Sequence, residues 1–206
     1  MRLIYGTTNQ SKILIMKRRV EPLGIEILSL GDVNAPDLHI DESGGDPLEN
    51  AGIKALVYYR ALRMPVFSCD SGLYIEGFDD ARQPGVHVRS IDGRRLDDDE
   101  MIAYYSALAA ESGGSMIARY RNAICLVLNE RRIYKHMGDD IAGERFIITS
   151  KAHKNRSEGF PLDSLSVHIK SGKYYYDMDD RDDINFTSDN GFTAFFQRVM
   201  RDGIQE

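Results

Sequence analysis

The stretch "RLIYGTTNQSKILIM", residues 2–16, reads as a strand, a polar turn and the start of a helix. Leu3, Ile4 and Tyr5 form a short apolar run, and the apolar residues of 13–16 open a helical pattern. Hydroxyl, amide and lysine side chains fill the turn between them. A strand that feeds a helix in this way is typical of α/β proteins, so the stretch predicts that fold class.

The turn itself, "TTNQSK" at residues 7–12, has two interpretations. Ser, Thr and Asn are common helix-capping residues, because their short side chains satisfy N–H groups that have no helical partner. The same helix end carries a partial positive charge, and Lys12 adds a full one, which favours an anion site. The stretch lacks the GxxxxGK[ST] pattern of a P-loop, so any phosphate site here has another design.

Outward from this turn, strands and helices alternate through the first half of the chain. The predicted strands cover residues 2–5, 26–30, 66–69, 73–78, 116–128, 132–137, 146–149 and 165–169. The predicted helices cover 11–20, 47–64 and 97–110, and a final helix carries Phe192, Phe195, Phe196, Val199 and Met200. We therefore predict one α/β domain over residues 1–206, with a mixed central sheet flanked by helices and arranged in two lobes, because the strand-rich second half lacks regular βαβ alternation.

Composition narrows the class of partner. The chain has 206 residues, is 42% hydrophobic and carries a formal net charge of −6, with a pI of about 5.4. This length supports one sizeable core. A general nucleic-acid binder usually has the opposite charge balance, so we expect a small-molecule substrate and no nucleic-acid partner.

Cysteine usage and the N-terminus indicate a cytoplasmic protein. Cys69 and Cys125 lie in apolar, strand-like surroundings, and we expect both to be reduced, buried thiols. There is no CxxC motif and no His/Cys metal spacing. The chain begins directly with a strand and contains no long apolar run, which argues against secretion and against a membrane partner.

Three further motifs carry chemistry. They are "ENAGIKA" at 49–55, "CDSGL" at 69–73 and "EGFPLDS" at 158–164. Each has an ordinary local interpretation: Glu49 stabilises a helix dipole, for example, and Asp70 begins an Asx-turn. Asp70 also fits a carboxylate held at the carboxyl edge of a sheet, where α/β proteins bind their ligands.

Taken in order, these motifs resemble the HAM1/ITPase family of nucleoside triphosphate pyrophosphatases. The family pattern runs (S/T)xNxxK, ENAxxKA, DDSGL, PGVYSAR, GFGYDPIF and a C-terminal SHR. Residues 7–12 match the first motif and 49–55 the second, while 69–73 match the third except that Cys69 replaces its first acid. Residues 84–86 begin the fourth. The resemblance spans most of the chain and implies the ITPase-like, Maf/HAM1 fold, with the active-site cleft between two lobes, and a homodimer.

The resemblance also implies a reaction. Family members cleave a nucleoside triphosphate between its α and β phosphates with Mg²⁺, giving a monophosphate and pyrophosphate. Glu49 and Asp70 are then the expected Mg²⁺ ligands, and Asp70 is expected to orient or deprotonate the attacking water. The expected substrate-binding residues are Thr7, Thr8, Asn9, Lys12, Lys54, Ser71, Gly72, Phe160, Asp163 and Asp189.

The sequence departs from the family where the base is recognised. Phe160 and Asp163 keep their places, so the resemblance implies base stacking and contact with the base edge. The His-Arg pair of SHR, however, becomes Ser188-Asp189 or Asp189-Asn190, and an upstream lysine becomes Asp183 or Ile184. A carboxylate facing a keto oxygen would be unpaired, at a cost of about 1–3 kcal/mol. We therefore expect base selectivity that differs from the ITP/XTP norm.

Two alternatives stay open at the level of sequence. The loss of one acid at Cys69 allows a nucleotide-binding protein of the same fold that has lost or changed catalysis. The basic loop "SKAHKNRSE", residues 150–158, is either a solvated surface loop or a lid over phosphates.

Overall fold

The opening stretch folds as predicted: strand β1 (Arg2–Tyr5) leads through a polar turn into helix α1 (Gln10–Val20). In the computed structural model, which describes residues 1–179 and 188–204, the other helices are α2 (Pro47–Leu62), α3 (Asp98–Glu111) and α4 (Ser188–Ile204). The other strands are β2 (Glu26–Leu28), β3 (Val66–Ile75), β4 (Ser90–Ile91), β5 (Arg94–Arg95), β6 (Ser115–Asn129), β7 (Arg132–Met137), β8 (Arg145–Thr149) and β9 (Ser166–His168). Within those described residues, no helix is long and apolar enough to cross a membrane.

Seven of the strands form one mixed sheet. Its order is β2-β1-β3-β6-β8-β9, and β7 also pairs with β6. β1 runs parallel to β2 and β3, whereas β6 runs antiparallel to β7 and β8. The predicted α/β class, with a mixed central sheet flanked by helices, is therefore confirmed. The cleft between two lobes and the single-domain boundary stay predictions.

The first of two compact units comprises Met1–Ser71, Arg121–Ala142 and Thr187–Glu206. The apolar residues of α1 recur at helical spacing and pack with α4 against β1, β3 and β6. Within this core the Tyr5 and Phe67 rings stack with centroids 4.4 Å apart. The core fixes the turn that follows β1 against the sheet, which makes that turn a rigid place for polar side chains.

The second unit comprises Gly72–Tyr120 and Gly143–Phe186. Its helix α3 begins with a complete capping box between Asp97 and Glu100, which confirms that acidic residues stabilise this helix end. Met101 and Tyr105 are buried on the inner face of α3, in a core shared with β8. α3 is therefore fixed within this unit by its capped N-terminus and its buried inner face.

The prediction of two strands around "CDSGL" is wrong, because β3 continues from Val66 to Ile75 without a break. The Ser71 hydroxyl donates a 2.7 Å hydrogen bond to the Asn122 side chain of β6, which holds this segment in the sheet. A Cβ at Gly72 would lie 2.9 Å from the carbonyl group of Gly85, so glycine permits a close backbone approach here. Long-range pairing thus overrides the local turn tendency of Ser-Gly, and Asp70 does not begin an Asx-turn.

Candidate active site

The turn between β1 and α1 confirms the capping interpretation, and the anion-site interpretation stays a prediction. Asn9 caps α1, since its Oδ1 accepts a 3.1 Å hydrogen bond from the backbone N–H of Lys12. Thr7 Oγ1 in turn accepts a 3.2 Å bond from the Asn9 N–H. The side chains of Thr8 and Lys12 stay exposed at this positive helix end. The cap therefore accounts for part of the motif and leaves two polar side chains available to an anion.

A buried ion pair connects two of the motifs. Asp70 is only 9% exposed, and its Oδ1 lies 2.7 Å from Nζ of Lys54 on α2. The same Nζ lies 3.1 Å from Oε2 of Glu42, so one ammonium group stands between two carboxylates. Burial lowers the pKa of Lys54, but the charges of Asp70 and Glu42 more than offset this, and its pKa is raised. Lys54 therefore stays charged, and its expected contact with substrate stays a prediction.

Glu42 is a site candidate that the sequence analysis missed. The loop before α2 is folded onto the helix end: Gly44 N–H donates to Asn50 Oδ1 at 2.9 Å, and Gly45 N–H donates to Glu49 Oε2 at 2.8 Å. Asn50 is 2% exposed, so the first of these bonds is buried. The "ENA" motif thus fixes the loop that carries Glu42. An acid in the glycine-rich stretch "DESGGDP", just before a helix-opening proline, was the available signal.

Glu49 and Asp70, the expected Mg²⁺ ligands, differ in burial and in their contacts. Glu49 is exposed in the first turn of α2 and accepts a backbone hydrogen bond, whereas Glu42 shares Lys54 with Asp70. Across residues 1–179 and 188–204, no group of three or more His, Cys, Asp or Glu side chains is arranged to hold a metal. A site with two carboxylates still suits Mg²⁺, which takes its other ligands from water and substrate oxygens. The ligand role of Glu49 stays a prediction.

The opposite face of β3 borders a small pocket within the first unit. Successive strand residues point to opposite faces, so Cys69 and Ser71 lie on the other side of β3 from Asp70. The pocket has a volume of about 140 Å³. Its lining residues are Tyr5, Lys12, Ile15, Met16, Arg19, Cys69, Ser71, Asn122 and Phe192. The expected substrate-binding residues Lys12 and Ser71 thus meet here, together with Tyr5, Arg19 and Asn122, which the motifs did not indicate.

Both cysteines are free thiols, as predicted. Cys125 is fully buried, whereas Cys69 is only partly buried because it borders the pocket. Burial raises the pKa of the Cys69 thiol to about 11. Cys69 is therefore neutral near pH 7 and does not replace the negative charge of the acid that the family carries at this position.

Phe160 and Asp163, two of the residues expected to recognise the base, lie in the second unit. The Phe160 side chain is 48% exposed. Asp163 is exposed overall, yet partial desolvation raises the pKa of its carboxyl group. Tyr120 stacks on Phe146 with centroids 5.7 Å apart, and burial together with the charge of Asp163 raises the pKa of its hydroxyl. Tyr120 is thus a further neighbour of Asp163, which no motif indicated.

The C-terminal residues that replace SHR are described only in part. Asp189 is the second residue of α4, and Asn190 follows it. Asp183 and Ile184, the alternatives for the upstream lysine, lie outside the described residues. The substrate-binding role of Asp189 therefore stays a prediction.

The basic loop at 150–158 is tied to its own unit. The His153 N–H donates to the Ser164 carbonyl at 2.7 Å, and the Tyr174 hydroxyl donates to the Lys151 carbonyl at 2.6 Å. The charged side chains of the loop remain exposed. These contacts agree with a solvated surface loop whose backbone is held in place, and the lid interpretation stays a prediction.

With the fold and these contacts established, comparison with known proteins identifies the class. The model of the Ham1 family matches residues 3–182, which is most of the chain. The chain belongs to the Ham1 family.

Among characterised sequences, the chain is similar to several proteins named dITP/XTP pyrophosphatase. The protein of Bradyrhizobium diazoefficiens is 30% identical over 129 residues, which cover 61% of this chain and 59% of that protein. The protein of Symbiobacterium thermophilum is 32% identical over 132 residues, covering 64% of each. In both cases the match spans less than two thirds of the relative's length.

Solved structures resemble the fold over nearly the full chain. A HAM1 protein from Coxiella burnetii superposes with a TM-score of 0.74 at 21% identity, covering 98% of this chain and 99% of that one. The Ham1 protein of Staphylococcus aureus gives a TM-score of 0.68 at 20% identity, covering 97% and 100%. At these identities the likeness concerns the fold alone, and it agrees with the predicted ITPase-like, HAM1 fold.

Proposed function

We propose that this protein hydrolyses a nucleoside triphosphate to the monophosphate and pyrophosphate. The observation that carries the proposal is the buried Asp70, which forms an ion pair with Lys54. Lys54 also pairs with Glu42, so two carboxylates share one ammonium group. Membership of the Ham1 family and similarity to dITP/XTP pyrophosphatases support it. A buried acid held by a cationic partner is suited to orient a water molecule, because its position is fixed before the substrate arrives.

Asp70 is proposed to orient the attacking water and to accept its proton. Lys54 donates a 2.7 Å hydrogen bond to Asp70 and a 3.1 Å bond to Glu42, and its charge compensates one of the two carboxylate charges. Taken together, Asp70, Glu42 and Lys54 carry one net negative charge, which attracts a divalent cation. The three side chains would therefore provide a general base, Asp70, and a site for a divalent cation.

The donor chemistry fits Mg²⁺. Asp70 and Glu42 would hold the ion, and Glu49 is the second ligand that the motif resemblance implies. Carboxylate oxygens are the protein ligands that Mg²⁺ prefers, and two of them suffice when water and phosphate complete the shell. When bound, the ion supplies positive charge to the polyphosphate and lowers the pKa of a bound water.

The phosphates are proposed to contact the β1–α1 turn. Thr8 and Lys12 are exposed at the positive end of α1, where N–H groups and an ammonium group bind phosphate oxygens. Ser71 is a further hydroxyl that the motif resemblance implies; it lies on the face of β3 opposite Asp70 and donates to Asn122, so its contact with phosphate stays a prediction. These contacts carry no information about the base, so every nucleotide should depend on them equally.

The base is proposed to stack on Phe160 and to present an amino group to Asp163. Stacking accepts any base, since each has a π-face, whereas a carboxylate requires a donor. The motif resemblance places Asp189 or Asn190 where the family has His and Arg, which replaces donors to the base by an acceptor or an amide. We therefore propose a preference for an amino-bearing or modified base over ITP and XTP.

Competition among ITP, XTP, ATP, GTP, CTP and UTP under Mg²⁺ tests this base choice. The expected result is that an amino-bearing nucleotide has the highest kcat/KM. A clear preference for ITP or XTP over all the others would contradict it. That outcome would assign the missing donor role to the basic loop, through Lys151, Lys154 or Arg156.

One observation favours a second candidate, a nucleotide-binding protein without turnover. The neutral Cys69 thiol stands where the family has an acid, which reduces the negative charge beside Asp70. Calorimetric titration with each nucleotide, run beside a pyrophosphate-release assay, separates the candidates. Micromolar binding without product would favour the binder, whereas pyrophosphate release favours the enzyme.

We also propose a cytoplasmic homodimer with no nucleic-acid or membrane partner. The net charge of −6 opposes general binding to nucleic acid, and the free thiols suit a reducing compartment. Light scattering on the purified protein should give twice the chain mass of 23.3 kDa. A mass equal to one chain would contradict the dimer.

A further inference from the structure

A closed polar network in the second unit is not explained by the roles proposed so far. Asp98, at the start of α3, accepts a 2.7 Å hydrogen bond from Arg89 on Oδ1 and a 2.8 Å bond from Gly159 N–H on Oδ2. Arg89 closes the ring by donating from its second guanidinium nitrogen to the Gly159 carbonyl at 3.0 Å. Both backbone groups of Gly159 are thus held by side chains from distant parts of the sequence.

The network fixes the backbone on one side of Phe160. Gly159 has a φ of +79°, a left-handed conformation that other residues adopt only with strain. On the other side, Pro161 has its φ restricted by its ring, and its carbonyl accepts a 2.7 Å bond from the buried Ser164 hydroxyl. Phe160 N–H itself donates to the Ser157 carbonyl at 3.0 Å. A largely exposed aromatic ring is therefore carried on a tightly held backbone.

Simpler explanations cover only part of this arrangement. Single exposed apolar residues are common on protein surfaces, and an acid in the first turn of a helix stabilises its dipole. Neither accounts for a charged pair that grips both the N–H and the carbonyl of one loop glycine. Holding a ligand-contacting side chain in its bound position before binding reduces the ordering cost of association.

We propose that Arg89 and Asp98 are positioning residues that preorganise Phe160 as the stacking platform for the nucleobase. The inference rests on the proposed function and deepens its base-recognition part. Neither residue needs to touch the reacting atoms. Their loss should therefore weaken nucleotide binding, seen in KM, and leave kcat nearly unchanged.

The test compares Asp98→Ala with Asp99→Ala, a control on the same helix turn. Asp99 is exposed and carries the same dipole interaction. Asp98→Ala should raise KM for the best nucleoside triphosphate by roughly 3- to 10-fold, the effect of freeing one platform side chain. The inhibition constant of inorganic tripolyphosphate, which has no base, should not change. Equal KM effects of the two substitutions, or a matching loss of tripolyphosphate inhibition, would overturn the proposal.

A double-mutant cycle shows whether the effect acts through Phe160. In a Phe160→Ala background, Asp98→Ala should raise KM no further, because the platform is already absent. A full additional effect in that background would overturn the inference. If Phe160→Ala alone leaves KM unchanged, the proposed base platform itself fails. If Phe160→Ala raises KM and Asp98→Ala does not, only the positioning role fails.

If the Asp98→Ala protein does not fold, Arg89→Lys tests the same network with a smaller change. Lysine preserves the positive charge beside Asp98 but cannot bind Asp98 and the Gly159 carbonyl in the same planar fork. The expected result is a smaller rise in KM for nucleotides, again without a change in kcat or in tripolyphosphate inhibition. An unchanged KM for Arg89→Lys, in a protein with an unaltered unfolding midpoint, would contradict the role of the network.

Discussion

The proposed acidic site of the first unit and the loop of the second unit that is proposed to read the base (the base-reading loop) are built in different ways. Asp70 lies within β3 and Lys54 within α2, so regular structure determines their positions. Phe160 and Asp163, by contrast, lie at the end of a loop and in a one-turn helix, Pro161–Leu165. Loops accept sequence change more readily than strands and helices do. The proposed change of base preference therefore falls on a loop, whereas the proposed catalytic residues Asp70 and Lys54 are held by regular structure.

The largest expected effect is on the acidic site. Asp70→Asn should lower kcat at least about 100-fold, because the amide cannot accept the proton of the attacking water. The amide oxygen still accepts a hydrogen bond from Lys54, so the fold should persist. Steady-state pyrophosphate release measures the rate, and circular dichroism checks the fold. Near-full activity in a folded Asp70→Asn protein would remove Asp70 from the proposed mechanism.

The second prediction separates the two candidate partners of Asp70. Glu42→Gln should raise the Mg²⁺ concentration for half-maximal rate by roughly 10- to 100-fold, an effect typical of residues that define a metal site. Glu49→Gln should have a smaller effect, because the Glu49 carboxylate is engaged by the Gly45 N–H. Asp41→Asn, an exposed neighbour, is the charge control. The reverse ranking would restore the ligand assignment that the motif resemblance implies.

The third prediction concerns the phosphates. Lys12→Ala should raise KM roughly 10-fold for every nucleotide, since one charge-assisted hydrogen bond is lost whichever base is present. Lys17→Ala, an exposed substitution later on the same helix, should leave KM unchanged. The measurement is KM for at least two nucleotides with different bases. A change in base preference without a general loss of affinity would mean that the triphosphate binds elsewhere.

The smallest expected effect is at the base-reading loop. Desolvation raises the pKa of Asp163 above its ordinary 3.8, so its ionised form is disfavoured in the folded state. Asp163→Asn should therefore raise the unfolding midpoint slightly at neutral pH while lowering the preference for amino-bearing bases a few-fold.

The pH dependence checks the sign of that effect. As pH falls through the folded-state pKa, the wild-type carboxyl becomes protonated and the stability difference from Asp163→Asn shrinks, vanishing below about pH 4. Thermal unfolding at several pH values measures it. A lower midpoint for Asp163→Asn at neutral pH would show that the carboxylate stabilises the fold, contrary to this account.

Local chemistry was enough to predict several features. The capping role of Asn9 and the acid-rich start of α3 follow from short side chains and helix ends, and both are present. The helical spacing of apolar residues likewise predicted α1 and α2 to within a few residues. In each case the determining contacts lie within about one helical turn, so a short window of sequence contains them.

Features that depend on distant contacts could not be predicted in this way. Glu42 meets Lys54 from a loop whose backbone is bound by Asn50 and Glu49. β3 runs through Ser71 because of a partner on β6, 51 residues later in the chain. The Arg89–Asp98 network grips a glycine more than 60 residues away in sequence. Periodicity carries no signal for such contacts.

The central claim is that the protein hydrolyses a nucleoside triphosphate between its α and β phosphates and that this reaction requires Asp70. The most direct measurement identifies the products formed from each nucleoside triphosphate with Mg²⁺, using phosphorus NMR on wild type and Asp70→Asn. The account predicts equimolar monophosphate and pyrophosphate from the wild type and almost none from the variant. Orthophosphate and a diphosphate, or equal turnover by both proteins, would contradict it.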